Sequence, residues 1–200
     1  MNPEIEAKFL KIDVINMQLR LRDIGATCKQ PMTLMKRAIL DYPDCRLQTQ
    51  QNAFIRVRYE GSITSLTFKR FESLQLGGAQ EIETEVADFD KTVAIFQAAG
   101  IVVRSLQESK REKWQLGETE IVIDEWPWLE PYIEIEGSNE EAIKDVAEKL
   151  LLNWQHAVFG DVMVAYRAQY PRLGANETVG NLTEVRFDMP VPNQFLYGSH

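Results

Sequence analysis

Charged side chains recur at every second position in several short segments of the chain. One segment carries Glu4, Glu6 and Lys8, and another carries Arg56 and Arg58. Because alternate residues of a β-strand point to the same side of a sheet, this spacing puts the charges of each segment on one face. Carboxylates bind divalent cations, and guanidinium groups match phosphate oxygens. Together these residue types favour the binding of a metal and a polyphosphate.

Other segments repeat the pattern, mostly with a single sign of charge. They contain Thr67 with Lys69, Glu81 with Glu83 and Glu85, Arg111 with Lys113, and Glu134 with Glu136. A solvent-exposed strand face would explain any one of them alone. As a set, however, they favour convergence inside a barrel, because a barrel of about eight strands has room for side chains or one small ligand.

Helices are predicted between the charged segments, where they would cover the apolar residues that alternate with the charges. Asp13 and Asp90 are candidate N-caps of two helices. Ser138 with Glu141 resembles a capping box that begins a third, and a fourth is predicted over roughly 157–169. The pattern therefore predicts an α+β protein with an antiparallel sheet and helices outside it.

The composition is that of one ordinary globular domain. The chain has 200 residues, of which 44% are hydrophobic and 26% charged. We expect a main domain over residues 1–170, followed by a tail or extra packing segment over 171–200, where glycines and prolines interrupt any regular pattern.

Several function classes are disfavoured by charge and residue content. A protein that coats nucleic acid needs a basic surface, whereas this chain has a net charge of −8, so no nucleic-acid partner is expected. No apolar stretch approaches the length that spans a bilayer, and the N-terminus lacks the apolar core of a signal peptide, so we expect no membrane partner and a cytoplasmic location. Two cysteines and two histidines, widely separated, make zinc chemistry a poor hypothesis.

The motifs, in their order along the chain, resemble those of the CYTH domain, also called the triphosphate tunnel metalloenzyme family. The segment from Glu4 to Lys8 resembles the ExExK signature that opens this domain. The matches continue with Arg56-Val57-Arg58, Thr67-Phe68-Lys69, Glu81 to Glu85, Arg111, and Asp124 leading to Glu134-Ile135-Glu136. ExExK alone is common, but an ordered series of motifs over residues 4–150 is specific.

The resemblance implies an eight-stranded antiparallel β-barrel that forms a triphosphate tunnel and uses Mg²⁺ or Mn²⁺. Carried over by position, the metal ligands would be Glu4, Glu6, Asp124, Glu134 and Glu136. The triphosphate would be bound by Lys8, Arg56, Arg58, Lys69 and Arg111, with Glu83 and Glu85 as helpers. Lys8 and Glu6 would be the catalytic residues, Lys8 by orienting or deprotonating the attacking water.

One departure from the family pattern concerns the phosphate-binding set. Ser109 stands where the family has the lysine of its KxR motif, so one phosphate contact is expected to be missing. Lys113 lies on the same strand face and is the expected substitute.

Three functions compete at this point. The first is a metal-dependent triphosphatase acting on inorganic tripolyphosphate or a small organic triphosphate. The second is a class IV-type adenylyl cyclase, in which the ribose 3′-hydroxyl replaces water as the nucleophile. The third is a module that binds triphosphate or polyphosphate without turnover. The triphosphatase ranks first because no base- or ribose-recognition motif is evident in the sequence; whether the protein forms a homodimer is left open.

Overall fold

The fold is known from a computed structural model. It describes residues 2–73, 78–174 and 177–198, with the backbone alone for residues 2–4. The strands are β1 Asn2–Glu4, β2 Glu6–Phe9, β3 Thr27–Asp41, β4 Ala53–Tyr59, β5 Thr64–Phe71, β6 Ala79–Val86, β7 Val102–Leu116, β8 Thr119–Glu125, β9 Tyr132–Glu136 and β10 Glu184–Val185. The α-helices are α1 Val14–Asp23, α2 Arg46–Gln51, α3 Phe89–Ala98, α4 Glu140–Lys149, α5 Met163–Gln169 and α6 Asn193–Tyr197. Two short 3₁₀-helices cover Trp154–His156 and Val179–Asn181.

A single curled sheet contains all of these strands. Its order is β1-β6-β5-β4-β3-β7-β8-β9-β2, and every pair along this path is antiparallel. Only Ile5 separates β1 from β2, so the described residues form eight antiparallel strands, with β10 added in parallel to β7. The predicted α+β fold, with an eight-stranded antiparallel sheet and helices outside, is confirmed.

The N-terminal segment joins the two edges of the sheet. The β1 part pairs with β6, where Glu4 is opposite Ala79, and the β2 part pairs with β9, where Glu6 is opposite Glu136. This pairing gives the sheet an inner face, where the alternating charges lie, and an outer face on which helices pack.

The outer face carries the main apolar core. Helices α1 and α4 pack over β2, β7, β8 and β9, with Leu21, Ile143 and Leu150 fully buried near the isoleucines of β8 and β9. Helix α3 packs on a smaller cluster around Leu40 and Val57. The expected cover is incomplete at β6, because Ile82 on its outer face stays 55% exposed.

One predicted helix cap is confirmed, and two others differ from prediction by one or two residues. Asp13 caps α1 as expected, accepting a hydrogen bond from Asn16 N at 2.9 Å. The cap of α3 is Asp88 rather than Asp90, and Asn139 rather than Ser138 caps α4. In each case the carboxylate or amide oxygen accepts from the backbone N–H three residues later, which satisfies a donor at the helix start. Asp90 lies instead in the first turn of α3, where the helix dipole favours an acid.

The fourth predicted helix, over roughly 157–169, is wrong in its first half. Val158 pairs with Lys8 of β2 through two backbone hydrogen bonds, and Gly160 has a positive φ of 113°. Both features hold the chain out of helical geometry, so α5 begins only at Met163.

The segment that follows Gly160 builds a second apolar cluster. Met163 and Tyr166 of α5 pack with Phe195 of α6 against Trp126 and Tyr132. The Tyr166 hydroxyl donates to Pro127 O at 2.8 Å, which ties α5 to the loop after β8. None of the helices in the described ranges has the length and apolar character needed to cross a bilayer.

Candidate functional site

A cavity of about 1360 Å³ lies along the inner face of the sheet. Its lining includes charged residues from β2, β3, β4, β5, β6, β7 and β9, which are far apart in sequence. Among them are the predicted residues Glu6, Lys8, Arg56, Arg58, Lys69, Glu83, Arg111, Lys113, Glu134 and Glu136. The curled sheet thus brings most of the predicted site into one space.

Lys8 connects two of the predicted metal ligands. Its ammonium lies 2.5 Å from Glu6 Oε1 and 3.1 Å from Glu134 Oε2, and all three side chains are buried. The β2–β9 register produces this contact by placing Lys8 opposite Glu134. Burial disfavours the charged lysine, but the two carboxylates outweigh it and raise the pKa of Lys8. The lysine and Arg111 in turn hold the pKa of Glu134 below its usual value, against the effect of burial.

Asp124 has both carboxylate oxygens occupied by Arg111. The Nε and Nη2 atoms of Arg111 donate to Asp124 at 2.7 and 2.6 Å, and Asp124 is only 1% exposed. Burial opposes the charge of Arg111, but this pairing outweighs it and raises the pKa of the guanidinium. Asp124 therefore lies behind Arg111 and not on the cavity lining.

Glu4 and Glu136 complete the predicted metal ligands. Glu136 lines the cavity two residues beyond Glu134 on the same face of β9. The backbone of Glu4 ends β1, and its side chain lies outside the described residues.

The donor set suits a hard divalent cation. Within the described ranges no group of three or more acidic, histidine or cysteine side chains is already arranged around one point. However, Glu6 and Glu134 are close enough to share the Lys8 ammonium, so a single cation can contact both. Carboxylate oxygens are the ligands that Mg²⁺ and Mn²⁺ prefer. Glu6 and Glu134, with Glu136 nearby, are the residues that would hold the metal.

Strands β4 and β5 form a basic wall, which consists of Arg56, Arg58 and Lys69. Glutamates of β6 partly neutralise it. Arg56 Nη2 lies 3.3 Å from Glu81 Oε1 and 3.4 Å from Glu83 Oε2. Lys69 lies 3.4 Å from Glu81. The Thr67 hydroxyl donates to Glu83 at 2.6 Å. The predicted helper Glu83 therefore faces the basic groups, whereas Glu85 is exposed and outside the cavity lining.

Glu60, which follows β4, bridges two of the predicted phosphate-binding residues. One oxygen lies 2.5 Å from Arg58 Nη2 and the other lies 2.6 Å from Lys113 Nζ. Burial raises the pKa of Glu60, but these cations prevail and lower it to about 2. Lys113 is thus on the cavity, as expected, with Glu60 as its counterion.

Several cavity residues were not predicted from the sequence. Glu60 is not on the lining but contacts Arg58 and Lys113, and it was missed because this role depends on cross-strand neighbours. Glu81 was placed in the acidic strand but given no role, for the same reason. Arg37 was missed because β3 was not recognised as a strand. Ile39, on the same face as Arg37, interrupts the alternation of charged and apolar residues. Asp161 and Arg167 reach the cavity from α5 and the residues just before it, which carry no strand pattern.

Comparison with known proteins is consistent with this architecture. A family model described as the CYTH domain matches residues 2–158. The chain belongs to the CYTH family. Enzymes of this family include triphosphatases and adenylyl cyclases, and they use divalent metals. No curated protein matches the chain in sequence.

Solved structures of similar fold come from several organisms. A candidate adenylate cyclase from Vibrio parahaemolyticus superposes with a TM-score of 0.71 at 15% identity, covering 82% of this chain and 97% of that one. A protein of Pyrococcus horikoshii OT3 has a TM-score of 0.66 at 19% identity, and the match covers 81% of this chain and 98% of that one. HpAC1 from Hippeastrum, a candidate adenylyl cyclase described as having a dominant triphosphatase activity, gives 0.58 at 16% identity, covering 83% and 96%. At these identities the likeness establishes the CYTH fold alone.

Proposed function

We propose that this CYTH protein hydrolyses a terminal phosphoanhydride bond of a small triphosphate with the help of Mg²⁺ or Mn²⁺. The observation that carries the proposal is the pairing of two charge groups inside one cavity. Glu6 and Glu134 gather around Lys8 on one side, and Arg56, Arg58 and Lys69 form the basic wall. Such a cavity matches both a divalent cation and a chain of phosphates.

The basic wall would bind and orient the phosphates. Arg56, Arg58 and Lys69 are each about nine-tenths buried, so water screens their charges weakly and their hydrogen bonds to phosphate are strong. Each now contacts a glutamate, which the substrate would partly replace. Positioning and charge stabilisation of this kind supply most of the acceleration in phosphoryl transfer.

The acidic group would hold the metal and keep Lys8 charged. A divalent cation at such a site neutralises phosphate charge and activates water. In the metal-free protein the two carboxylates raise the pKa of Lys8, and the charged lysine would orient water or phosphate. Glu6, which contacts Lys8 directly, would then serve both the metal and the orientation of Lys8.

A substrate panel with Mg²⁺ and Mn²⁺ tests the proposal. We expect phosphate release from inorganic tripolyphosphate or an organic triphosphate, which EDTA abolishes. Incubation with ATP, followed by separation of cyclic AMP, ADP and phosphate, distinguishes hydrolysis from the cyclase reaction. Formation of cyclic AMP without phosphate release would replace the proposal with the cyclase. Tight, metal-dependent binding without turnover of any substrate would replace it with a binding module.

A further inference from the structure

Arg37 differs from the other buried cations of the cavity in having no acidic partner. It lies on the inner face of β3 and is 6% exposed. Its Nη2 donates to Ser109 Oγ at 2.5 Å, and its guanidinium carbon lies 4.2 Å from the centroid of the Trp126 ring. Among the described residues, no carboxylate oxygen lies within 4.0 Å of this guanidinium, and its Nε has no hydrogen-bond acceptor.

The sheet register makes this charge more costly. Arg37 is directly opposite Arg58 in the β3–β4 pair, and like charges opposite each other destabilise a sheet. Burial, followed by repulsion from Arg58, Arg56 and Arg111, holds the pKa of Arg37 well below its usual value, although Asp124 opposes the shift. Arg58 has Glu60 as counterion, so the surplus charge is that of Arg37.

A role in the fold alone does not account for this arrangement. A buried charge without a counterion destabilises the folded protein, and an uncharged side chain of similar length would fill the same space without that penalty. Ser109 and Trp126, meanwhile, hold the guanidinium at the cavity wall, so little side-chain freedom remains to be lost when an anion binds.

We infer that Arg37 is a substrate-binding residue whose counterion is a phosphoryl group of the bound triphosphate. The inference rests on the proposed function for the class of anion. It adds a guanidinium of β3 to the phosphate-binding set, next to the buried Ser109 of β7.

Binding of inorganic tripolyphosphate to the full chain tests the inference. Calorimetric Kd values are compared for the wild type, R37M, R37K and R22M at one ionic strength, with and without Mg²⁺. R37M keeps most of the side-chain length without the charge. R22M is the matched control, because Arg22 is also placed over a tryptophan, with its guanidinium 5.7 Å from the Trp114 ring, but is exposed on α1 outside the cavity.

We expect R37M to weaken binding about 10- to 100-fold, in line with the loss of a charge-assisted hydrogen bond. R37K should lose less affinity than R37M, because it keeps the charge. R22M should bind tripolyphosphate as tightly as the wild type does. The melting temperature of ligand-free R37M should equal or exceed that of the wild type, since an uncompensated buried charge has been removed. If Arg37 were needed only for the fold, ligand-free R37M would melt at a lower temperature than the wild type.

Two results would overturn the inference. One is a Kd for R37M within twofold of the wild-type value. The other is a lowered melting temperature or loss of folding in ligand-free R37M, which would assign the guanidinium to the fold. Because binding is measured without turnover, failure of the proposed function is separable: a wild type that binds tripolyphosphate and releases no phosphate contradicts the hydrolase and leaves Arg37 assigned.

Discussion

Ionised side chains that line the cavity depend on counterions, some of which lie outside the lining. Lys8 is stabilised by Glu6 and Glu134, Arg111 by Asp124, and Arg58 by Glu60. In each case the attraction between opposite charges offsets the free-energy cost of removing those charges from water. Removing one partner therefore changes the charge state or position of the other, so a substitution at this site has to be interpreted through both residues.

Glu6→Gln tests the role of the acidic group in activity. The amide removes the charge that would hold a divalent cation, so metal-dependent phosphate release should fall by more than about 100-fold. The fold should persist, because Glu134 still pairs with Lys8. Phosphate-release assays with Mg²⁺ and Mn²⁺, together with circular dichroism, measure both effects.

The exposed Glu141 of α4 provides a control substitution, Glu141→Gln, which should leave the rate unchanged. Wild-type activity in the Glu6 variant would count against the assignment of this group as the metal site.

Glu60→Gln tests the counterion of Arg58 and Lys113 through stability against pH. The folded-state pKa of Glu60 is about 2, below the ordinary value of 4.5, so its ion pairs stabilise the protein above pH 4.5. That contribution is lost as the pH falls from about 4.5 towards 2. At pH 7 we expect the variant to be less stable by about 2 kcal/mol, allowing for partial screening of the ion pairs by solvent.

Urea denaturation between pH 7 and pH 3 measures this effect. The stability difference between wild type and Glu60→Gln should narrow as the medium becomes more acidic. A difference that stays constant over this range would show that the Glu60 charge does not stabilise the fold.

At the level of elements, strand alternation separates the site from the core. On β9, Glu134 and Glu136 face the cavity while Ile133 and Ile135 are buried beneath α4. The same division holds on β2, where Glu6 and Lys8 face inward. A one-residue shift of register would exchange these faces, so the apolar packing of the helices also fixes which charges enter the cavity.

The C-terminal helices extend this framework beyond the matched CYTH domain. Phe195 of α6 is 1% exposed, and its ring makes contacts with Tyr166, Tyr170 and Trp128 at centroid distances of 5.5 to 5.8 Å. Phe195→Ala should destabilise the protein by about 3–5 kcal/mol, because it leaves a cavity in a closed aromatic cluster. Thermal and urea unfolding monitored by tryptophan fluorescence measure the loss.

Tyr197→Ala is the matched control on α6, since Tyr197 is 64% exposed and should change stability by less than about 0.5 kcal/mol. Equal effects of the two substitutions would contradict a packing role for Phe195.

For the molecule as a whole, the net charge is negative, whereas one wall of the cavity is basic. The chain carries −8 overall, yet a basic wall lines part of its cavity. Local fields in an enclosed, weakly screened space govern the binding of a small anion more than the total charge does. An acidic protein can therefore bind a polyphosphate.

Ligand-induced stabilisation follows from this arrangement. Tripolyphosphate at 100 times its Kd should stabilise the folded protein by about 2.7 kcal/mol, because it binds the folded state alone. For a chain of this length, the melting temperature should then rise by about 5–10 °C. Differential scanning fluorimetry with sulfate at equal ionic strength as the reference measures this shift, and equal shifts for the two anions would argue against a specific triphosphate site.

The sequence by itself determined the fold class and ten of the charged residues that line the cavity. In a β-strand the direction of the side chains repeats every two residues. The alternation in segments such as Tyr132–Glu136 therefore already specified which side chains share a face. The order of the motifs along the chain then indicated the CYTH family, which the match over residues 2–158 confirmed.

Only the tertiary structure decided which charges meet. The pairing of Asp124 with Arg111, the bridging position of Glu60 and the unpartnered charge of Arg37 depend on cross-strand register and on how the sheet curls. These distances join residues from separate strands, and local periodicity carries no information about them. The alternation assigns each side chain to a face, and the closing of the sheet selects its neighbour.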